Sequence, residues 1–338
     1  MIQRRTNLKK EKRKKSMAAV SAAVFLIITV VAIGAVVVVK SKKPSETERS
    51  GMDYMEGMQN LYAWNTYGFY FDFYSESDPN RMDDTILMKD CTEELCFMVE
   101  SAGQQREMAV QILIDYVQVP VIVDDEIYTT YFFDADERFS QEFSFRFKDK
   151  IDENRDHKIT AVLTVASDKY AVNAKEEYPS YDYSLAFDLF LTFENSSGEL
   201  VKDGVYEYEN IREQYEDMFI GLLINADLEN FKRTMPKKEM TAAPGEQITL
   251  SYHAGGYEKC EEAIILLSLG MQQIQVNGQD FIIFKTMDGM ISNGLLTITA
   301  PSEPGLYDLT GWIINDPYTE KGHVIPLSAT PRFTLRVE

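Results

Sequence analysis

Phe143-Ser144-Phe145-Arg146-Phe147 sets a ring at every second position with a polar side chain between, the pattern of a strand with one apolar and one wet face. On either side of it, residues 95–100, 108–123, 128–133, 139–147, 157–165 and 185–193 are rich in Val, Ile, Tyr, Phe and Thr, and polar or Gly-containing stretches separate them. Each is read as one strand. Period-2 patterning at this spacing argues for an antiparallel sandwich, one core between two sheets. Upstream, Tyr62, Trp64, Tyr67, Phe69, Phe71 and Phe73 alternate in part with polar residues. They read as a further strand of the same domain, with an exposed adhesive strip as the alternative.

The C-terminal hundred residues return to this pattern. Pro244-Gly245-Glu246 is a turn, and strands are expected at 247–252, 263–269, 273–276, 280–284, 295–300, 307–314 and 332–337. Between the two β regions, Tyr208, Ile211, Tyr215, Met218, Phe219, Leu222 and Leu223 recur at steps of three and four, with Glu209, Arg212, Glu213, Glu216 and Asp217 among them. That spacing predicts a helix and hence a short helical connector over 206–236, closed by Pro236 and Lys237-Lys238.

The two β regions look like copies of one plan. Gln118-Val119-Pro120-Val121 precedes 143–147 and then His157-Lys158-Ile159-Thr160-Ala161, while Gln273-Ile274-Gln275-Val276 precedes 296–300 and then Tyr307-Asp308-Leu309-Thr310-Gly311. The separation is 155 residues at the first landmark and 150 at the last, which predicts tandem domains of one type, the alternative being a shared sheet pattern alone. Pro304-Gly305-Leu306-Tyr307-Asp308-Leu309 resembles the turn and tyrosine corner of immunoglobulin-like domains. The resemblance implies that the Tyr307 hydroxyl bonds back to upstream backbone. It also implies that Leu309 holds the place of the family's core cysteine, so that this copy lacks the intersheet disulfide. Asp156-His157-Lys158-Ile159-Thr160-Ala161 is similar to the corner of many bacterial immunoglobulin-like domains, in which His replaces Tyr. Such sandwiches serve adhesins, receptors, enzyme accessories and spacers alike, so the resemblance speaks to fold and hardly to function.

Residues 17–39 form a run of 23 without a charge, and Lys or Arg stands at positions 4, 5, 9, 10, 12, 13, 14 and 15 just before it. As a helix rising 1.5 Å per residue the run is long enough to cross a hydrocarbon core of about 30 Å. One membrane span is expected, with the basic tail in the cytoplasm and the 299 residues after it outside. A cleaved export signal is the competing reading. The run exceeds the usual h-region of about 7–15 residues, and Ala32 and Gly34 are followed by Ala35 and the block Val36 to Val39 rather than by a cleavage site. A retained anchor is therefore favoured. The expected plan is a cytoplasmic tail over 1–16, a transmembrane helix over 17–39, a stalk over 40–60, a first sandwich over 61–205, the connector over 206–236 and a second sandwich over 237–338.

Charge divides along the same line. Residues 1–50 hold 12 Lys and Arg against 3 Glu, and the remainder holds 22 Lys and Arg against 51 Asp and Glu, a net of −29. Such a surface repels nucleic acid and anionic headgroups, so no nucleic-acid partner is expected. High charge also keeps an exported domain soluble, which is the plainer account.

Chemistry is hard to find. Cys91 and Cys96 are spaced for a small loop on a turn and Cys260 is remote, but Cys-x4-Cys without a second pair or a nearby His is a poor zinc pattern. The three histidines, His157, His253 and His323, fall on separate segments, and no Gly-x-Ser-x-Gly, His-Glu-x-x-His, Walker or dinucleotide motif occurs. Asp152-Glu153-Asn154-Arg155-Asp156 opens like a calcium loop, yet His157 stands at the sixth position instead of Gly and Leu163 at the twelfth instead of Glu. Asp124-Asp125-Glu126 and Asp134-Ala135-Asp136-Glu137 are acids for a calcium-binding edge or, more plainly, for solvated turns. Met52, Met55 and Met58 offer soft ligands for copper or a juxtamembrane packing strip, and Asn195-Ser196-Ser197 is a glycosylation acceptor only in a eukaryote. No catalytic, cofactor-binding or metal-binding residue is singled out. The expectation is a mainly β, membrane-anchored binding or scaffolding protein of a bacterial envelope, with an unknown extracellular protein or glycan partner. A wall-polymer hydrolase or accessory subunit with an interdomain carboxylate pair is the alternative.

Overall fold

The computed structural model describes residues 68–75, 84–102, 105–172, 184–201, 211–214, 221–226, 239–255, 260–287, 290–318 and 327–338. In chain order the first half contains β1 (Gly68–Ser75), β2 (Thr85–Met88), β3 (Leu95–Ala102), β4 (Arg106–Ile114), β5 (Val117–Gln118), β6 (Val121–Val123), β7 (Glu126–Tyr128), β8 (Thr130–Ala135), β9 (Arg138–Phe147), β10 (His157–Val165) and β11 (Ser184–Phe193). The second half contains β12 (Ile211–Gln214), β13 (Gly221–Asn225), β14 (Glu239–Ala242), β15 (Gln247–Gly255), β16 (Glu262–Leu269), β17 (Gln272–Ile274), β18 (Ile282–Lys285), β19 (Met290–Thr299), β20 (Gly305–Asn315), β21 (Leu327–Ala329) and β22 (Phe333–Val337).

These strands make two sandwiches of one design. In the first, sheet β1-β3-β9-β6-β7 faces sheet β2-β11-β10-β4-β5, with β8 also on β4. In the second, sheet β13-β15-β19-β12 faces sheet β14-β22-β20-β16-β17, with β18 on β16 and β21 on β20. Pairing is antiparallel except where β2 runs parallel to β11 and β14 parallel to β22, again at equivalent edges. The orders correspond to A-B-E and G-F-C in an immunoglobulin-like sandwich, so the repeat is one of topology except beside E, where the first sandwich has β6, between β4 and β9 in the chain, and the second has β12, which precedes its other strands.

Each sandwich has its own core. Phe97 lies between Phe143 and Phe145 in the first, with ring centroids 4.9 and 6.0 Å away, and Phe73 stacks on Phe145 at 5.7 Å. The period-2 rings of 143–147 thus point inward as expected. Phe71 and Phe73 of β1 belong to the same core, so these two rings of the aromatic strip are taken up by their own domain, while Tyr62, Trp64 and Tyr67 lie outside the described residues. Leu250, Leu267, Phe284, Leu296 and Leu335 anchor the second core.

Three expectations need correction. The expected strand over 108–123 is broken after Ile114, because Asp115 and Tyr116 adopt φ of 48° and 68° and turn the chain into β5 as a two-residue hairpin. Neither residue is glycine, and the apolar run hides the turn. The equivalent turn in the second sandwich, Gly270-Met271, has φ of 60° and 61°. The helical connector is also overturned. Within 206–236, the described residues form β12, paired with β19, and β13, paired with β15. Leu222 and Ile224 alternate into the second core, and the sheet edge that accepts them outweighs the helical spacing of the surrounding residues. Third, the expected 128–133 strand is two strands, β7 and β8, on different sheets. The anchor, the tail, the stalk and the rest of the connector lie outside the described residues, among which no helix is long and apolar enough to cross a membrane.

Gly311 on β20 shows how tightly the second core is filled. A Cβ there would stand 2.6 Å from Ile224 Cδ1 and 2.9 Å from Leu267 Cδ2. Gly311→Ala should lower the unfolding free energy by about 1–3 kcal/mol, read by thermal or urea unfolding. An unchanged midpoint would show that β13 is not packed against this strand.

Candidate functional site

β4, β10, β16 and β20 are buried along almost their entire length, on both faces. One face supplies the cores. The other forms a third apolar layer, in which Leu113, Tyr116 and Val162 of the first sandwich meet Ile264, Leu266, Ile283, Trp312 and Ile314 of the second. Both sandwiches belong to a single unit spanning 51–338, and this seam between their G-F-C sheets is the candidate site.

The seam is built symmetrically. Gln118 N–H donates to Gln273 Oε1 at 2.5 Å, and Gln273 N–H donates to Gln118 Oε1 at 2.6 Å. These are the residues 155 apart that mark the repeat in the sequence. The Gln273 amide also donates to the Tyr116 carbonyl at 2.8 Å, while the Thr130 hydroxyl donates to the carbonyl of Met271, the residue equivalent to Tyr116. The left-handed Asp115-Tyr116 turn puts the Tyr116 ring wholly inside the seam. There its hydroxyl donates to the Pro317 carbonyl at 2.6 Å, and Phe281 and Tyr318 meet its ring edge-on, both at 5.8 Å.

Among the described residues, Lys158, Asp188, Arg332 and Asp308 enter this layer as two ion pairs. Lys158 Nζ lies 2.9 Å from Asp188 Oδ2, with 2 % and 0 % of the two side chains exposed, and 4.1 Å above the Phe190 ring. Thr160 donates to the other Asp188 oxygen at 2.9 Å. Burial pushes the Asp188 carboxyl above its ordinary range, and Lys158, Thr160 and Tyr116 work against that rise. In the second sandwich Arg332 Nε lies 3.9 Å from Asp308 Oδ2, and Thr334 donates to Asp308 Oδ1 at 2.7 Å. Burial raises Asp308 as well, opposed by Thr334 and Arg332. The loop after β10 closes over this pair. Arg332 Nη2 donates to the Val165 and Ala166 carbonyls at 3.1 Å, Ala171 N–H reaches both Asp308 oxygens at 3.2 Å, and Val172 N–H reaches Thr334 Oγ1 at 3.0 Å.

At one end of the seam stands the His157 corner. His157 Nε2 is 2.8 Å from the Asp152 carbonyl, as the Tyr307 hydroxyl is 3.0 Å from the Glu303 carbonyl in the second sandwich, so both corner residues reach back to upstream backbone. His157 Nδ1 lies 2.7 Å from Asp115 Oδ2, and the Asp115 carboxylate also accepts from Arg155 Nη2 at 2.8 Å and Lys158 N–H at 2.9 Å. Burial disfavours the charge on Asp115, but His157, the Lys158 amide and Arg155 together outweigh it and hold the carboxyl below its ordinary range.

The other sequence candidates serve local structure. Asp152 Oδ1 accepts from Asn154, Glu153 accepts from Cys91 N–H, and Asp156 accepts from Thr192 and Ser196, so the acids of the calcium-like loop are engaged separately. Asp124 and Asp125, at φ of 49° and 65°, form the β6–β7 hairpin turn, and Asp134 and Ala135 lie in β8. His253 Nδ1 lies 2.6 Å from Asn293 Oδ1 across β15 and β19. Cys91, Cys96 and Cys260 form no disulfide with one another, and burial pushes Cys260 up to about 11. His323, Met52, Met55 and Met58 lie outside the described residues, among which no three His, Cys, Asp or Glu side chains are grouped to hold a metal ion. Sequence reasoning missed Tyr116, Lys158, Asp188, Asp308 and Arg332. The signal available was a single charge inside an otherwise apolar strand, as in Phe187-Asp188-Leu189 and Tyr307-Asp308-Leu309.

No protein-family model matches this chain, and no curated protein matches it. Solved structures similar to it include the calcium binding domain CBD12 of CALX1.1 at 9% identity, covering 71% of this chain and 79% of that one with a TM-score of 0.22. The E. coli chaperone DraB is 12% identical, covering 80% of this chain and 97% of that one at 0.23. The C-terminal domain of the Streptococcus agalactiae AgI/II polypeptide BspA is 7% identical, covering 80% and 100% at 0.22. Likenesses of this size carry no argument about function.

Removing one member of the Lys158 pair leaves a buried charge unmatched. Lys158→Met should cost about 3–5 kcal/mol, and Lys158→Met combined with Asp188→Leu far less, measured by denaturant unfolding. Equal losses in the single and double variants would dissolve the pair as an energetic unit. Asp115 is held below its unfolded value of about 3.9, so the stability it contributes is present above that value and is lost as pH falls through the folded one. Asp115→Asn should therefore lower the melting temperature at pH 7 and flatten its decline in acid; a parallel decline in both proteins would contradict this.

Proposed function

We propose that this protein is a single-pass component of a bacterial cell envelope, N-terminus in the cytoplasm, that binds or scaffolds through its two extracellular sandwiches and catalyses nothing. The uncharged run 17–39 behind eight basic residues carries the reading, because that order holds the tail inside and sends the acidic remainder out. Further support comes from how the carboxylates buried beside the seam are used. Asp188 and Asp308 each face a cation buried in their own sandwich, so neither is left over as half of a catalytic pair, and the reciprocal Gln118 and Gln273 bonds across the seam are suited to holding the two modules as one rigid body. A rigid body presents one fixed outer surface to a protein or glycan, and binding through it costs little ordering entropy.

Protease added to intact cells should digest the region after residue 39 and spare the tail, and the 40–338 segment used as bait on surface extracts should retain a defined partner. Protection of the C-terminal region, or a mature chain that begins after Val39, would remove the anchor. Turnover of a wall polymer that a single carboxylate substitution abolishes would replace binding by catalysis.

A further inference from the structure

The two halves of the seam match in geometry, and each holds one buried cation and one buried carboxylate in positions that are exchanged between them. Lys158 and Asp308 each follow a corner residue, His157 and Tyr307, and lie 150 residues apart. Lys158 lies opposite Phe190 in its ladder and pairs with Asp188, two residues earlier; Asp308 lies opposite Thr334 and pairs with Arg332, two residues earlier. Cation and carboxylate have exchanged places.

We infer that the seam is a heterotypic, non-covalent pairing surface, on which the first sandwich accepts the second, rejects a copy of itself, and needs no connector to do so. The loop after β10 carries the discrimination. Its Ala171 N–H points at the Asp308 carboxylate and its Val165 and Ala166 carbonyls point at the Arg332 guanidinium. With a first sandwich in the second one's place, Ala171 N–H would face the Lys158 ammonium, donor against donor. The two carbonyls would face the Asp188 carboxylate, acceptor against acceptor. Unmatched polar groups in a buried layer are the means by which an interface refuses a near-copy of its partner. The attraction is spread over the rest of the seam: the reciprocal Gln118 and Gln273 bonds, the Tyr116 bond to Pro317 and the apolar layer around Trp312.

The test keeps the chain whole until it is cut. A site-specific protease sequence is inserted after Asp203 of the full chain in detergent micelles, with an affinity tag at the C-terminus. After cleavage the captured C-terminal fragment should retain the N-terminal one at micromolar concentration, one to one, and release it only in denaturant. Release on cutting overturns the inference. Reversing the second pair, Asp308→Lys with Arg332→Asp, gives the second sandwich the polarity of the first and should weaken retention about 100-fold or more. Retention equal to that of the unsubstituted chain would show that the charges do not discriminate. Gln273→Ala leaves both charge pairs in place and should weaken retention roughly tenfold, which keeps the surface testable if the reversed pair does not fold; full retention in that variant also counts against it.

Discussion

Four strands, β4, β10, β16 and β20, carry side chains into two dry layers at once, and the architecture follows from that double burial. Along β10, Ile159, Ala161, Leu163 and Val165 fill the first core while Lys158, Thr160, Val162 and Thr164 alternate to the other face. A strand with no wet face has nowhere to solvate a charge. Lys158 and Asp308 stand on strands of this kind, and each meets a partner of opposite sign, Asp188 on β11 and Arg332 just before β22. Buried pairs of this sort add little net stability yet penalise any arrangement that separates them. Each pair lies within one sandwich, so the alignment of the two is set by what crosses the seam: the Arg332 bonds to Val165 and Ala166, the Ala171 bonds to Asp308 and the reciprocal Gln118 and Gln273 bonds.

That alignment is close to two-fold. Equivalent left-handed turns, Asp115-Tyr116 and Gly270-Met271, bring Gln118 and Gln273 face to face, and each binds the other's backbone. In a true homodimer such self-complementarity would come from the symmetry itself. Here it arises between two copies of one plan within a chain, and the copies have diverged where it matters: tyrosine against methionine at the turn, and cation against carboxylate beyond the corner. The seam takes up the G-F-C faces of both sandwiches. In the first sandwich the sheet left to face outward is that of β1, β3 and β9, where Glu142 and Ser144 are exposed and Tyr74 donates to Glu142.

Much of the fold could be read residue by residue. The expected strand 157–165 is β10 to the residue, and the expected strand 185–193 differs from β11 by one position. The first is rich in Ile, Thr and Val and the second in Phe and Leu, and in both propensity and burial agree, so local and global preferences coincide. Agreement failed where they did not. Asp115-Tyr116 lacks the Gly or Asn that marks a two-residue turn, and its left-handed backbone is held by contacts made far away, at His157 and Pro317. Residues 211–214 and 221–225 belong to a stretch with helical spacing and still pair as strands, because open edges beside β19 and β15 offer backbone hydrogen bonds. The candidate site was barely visible. Gln118 and Gln273 served as landmarks of the repeat, with nothing local to show that they touch.

Residue order alone is enough to read two β-rich modules of one kind, their corners at His157 and Tyr307, the acidity of everything after residue 50, and the uncharged run 17–39, since alternation, composition and run length are properties of neighbours along the chain. That the modules bury their equivalent faces against each other, and that four charged side chains are matched there, emerges only when the chain is folded. Pairing of that kind joins residues such as Gln118 and Gln273 through space. A solitary charge in a strand reads the same from its neighbours whether water or a buried counter-ion awaits it, and the difference is settled by what packs on the other side.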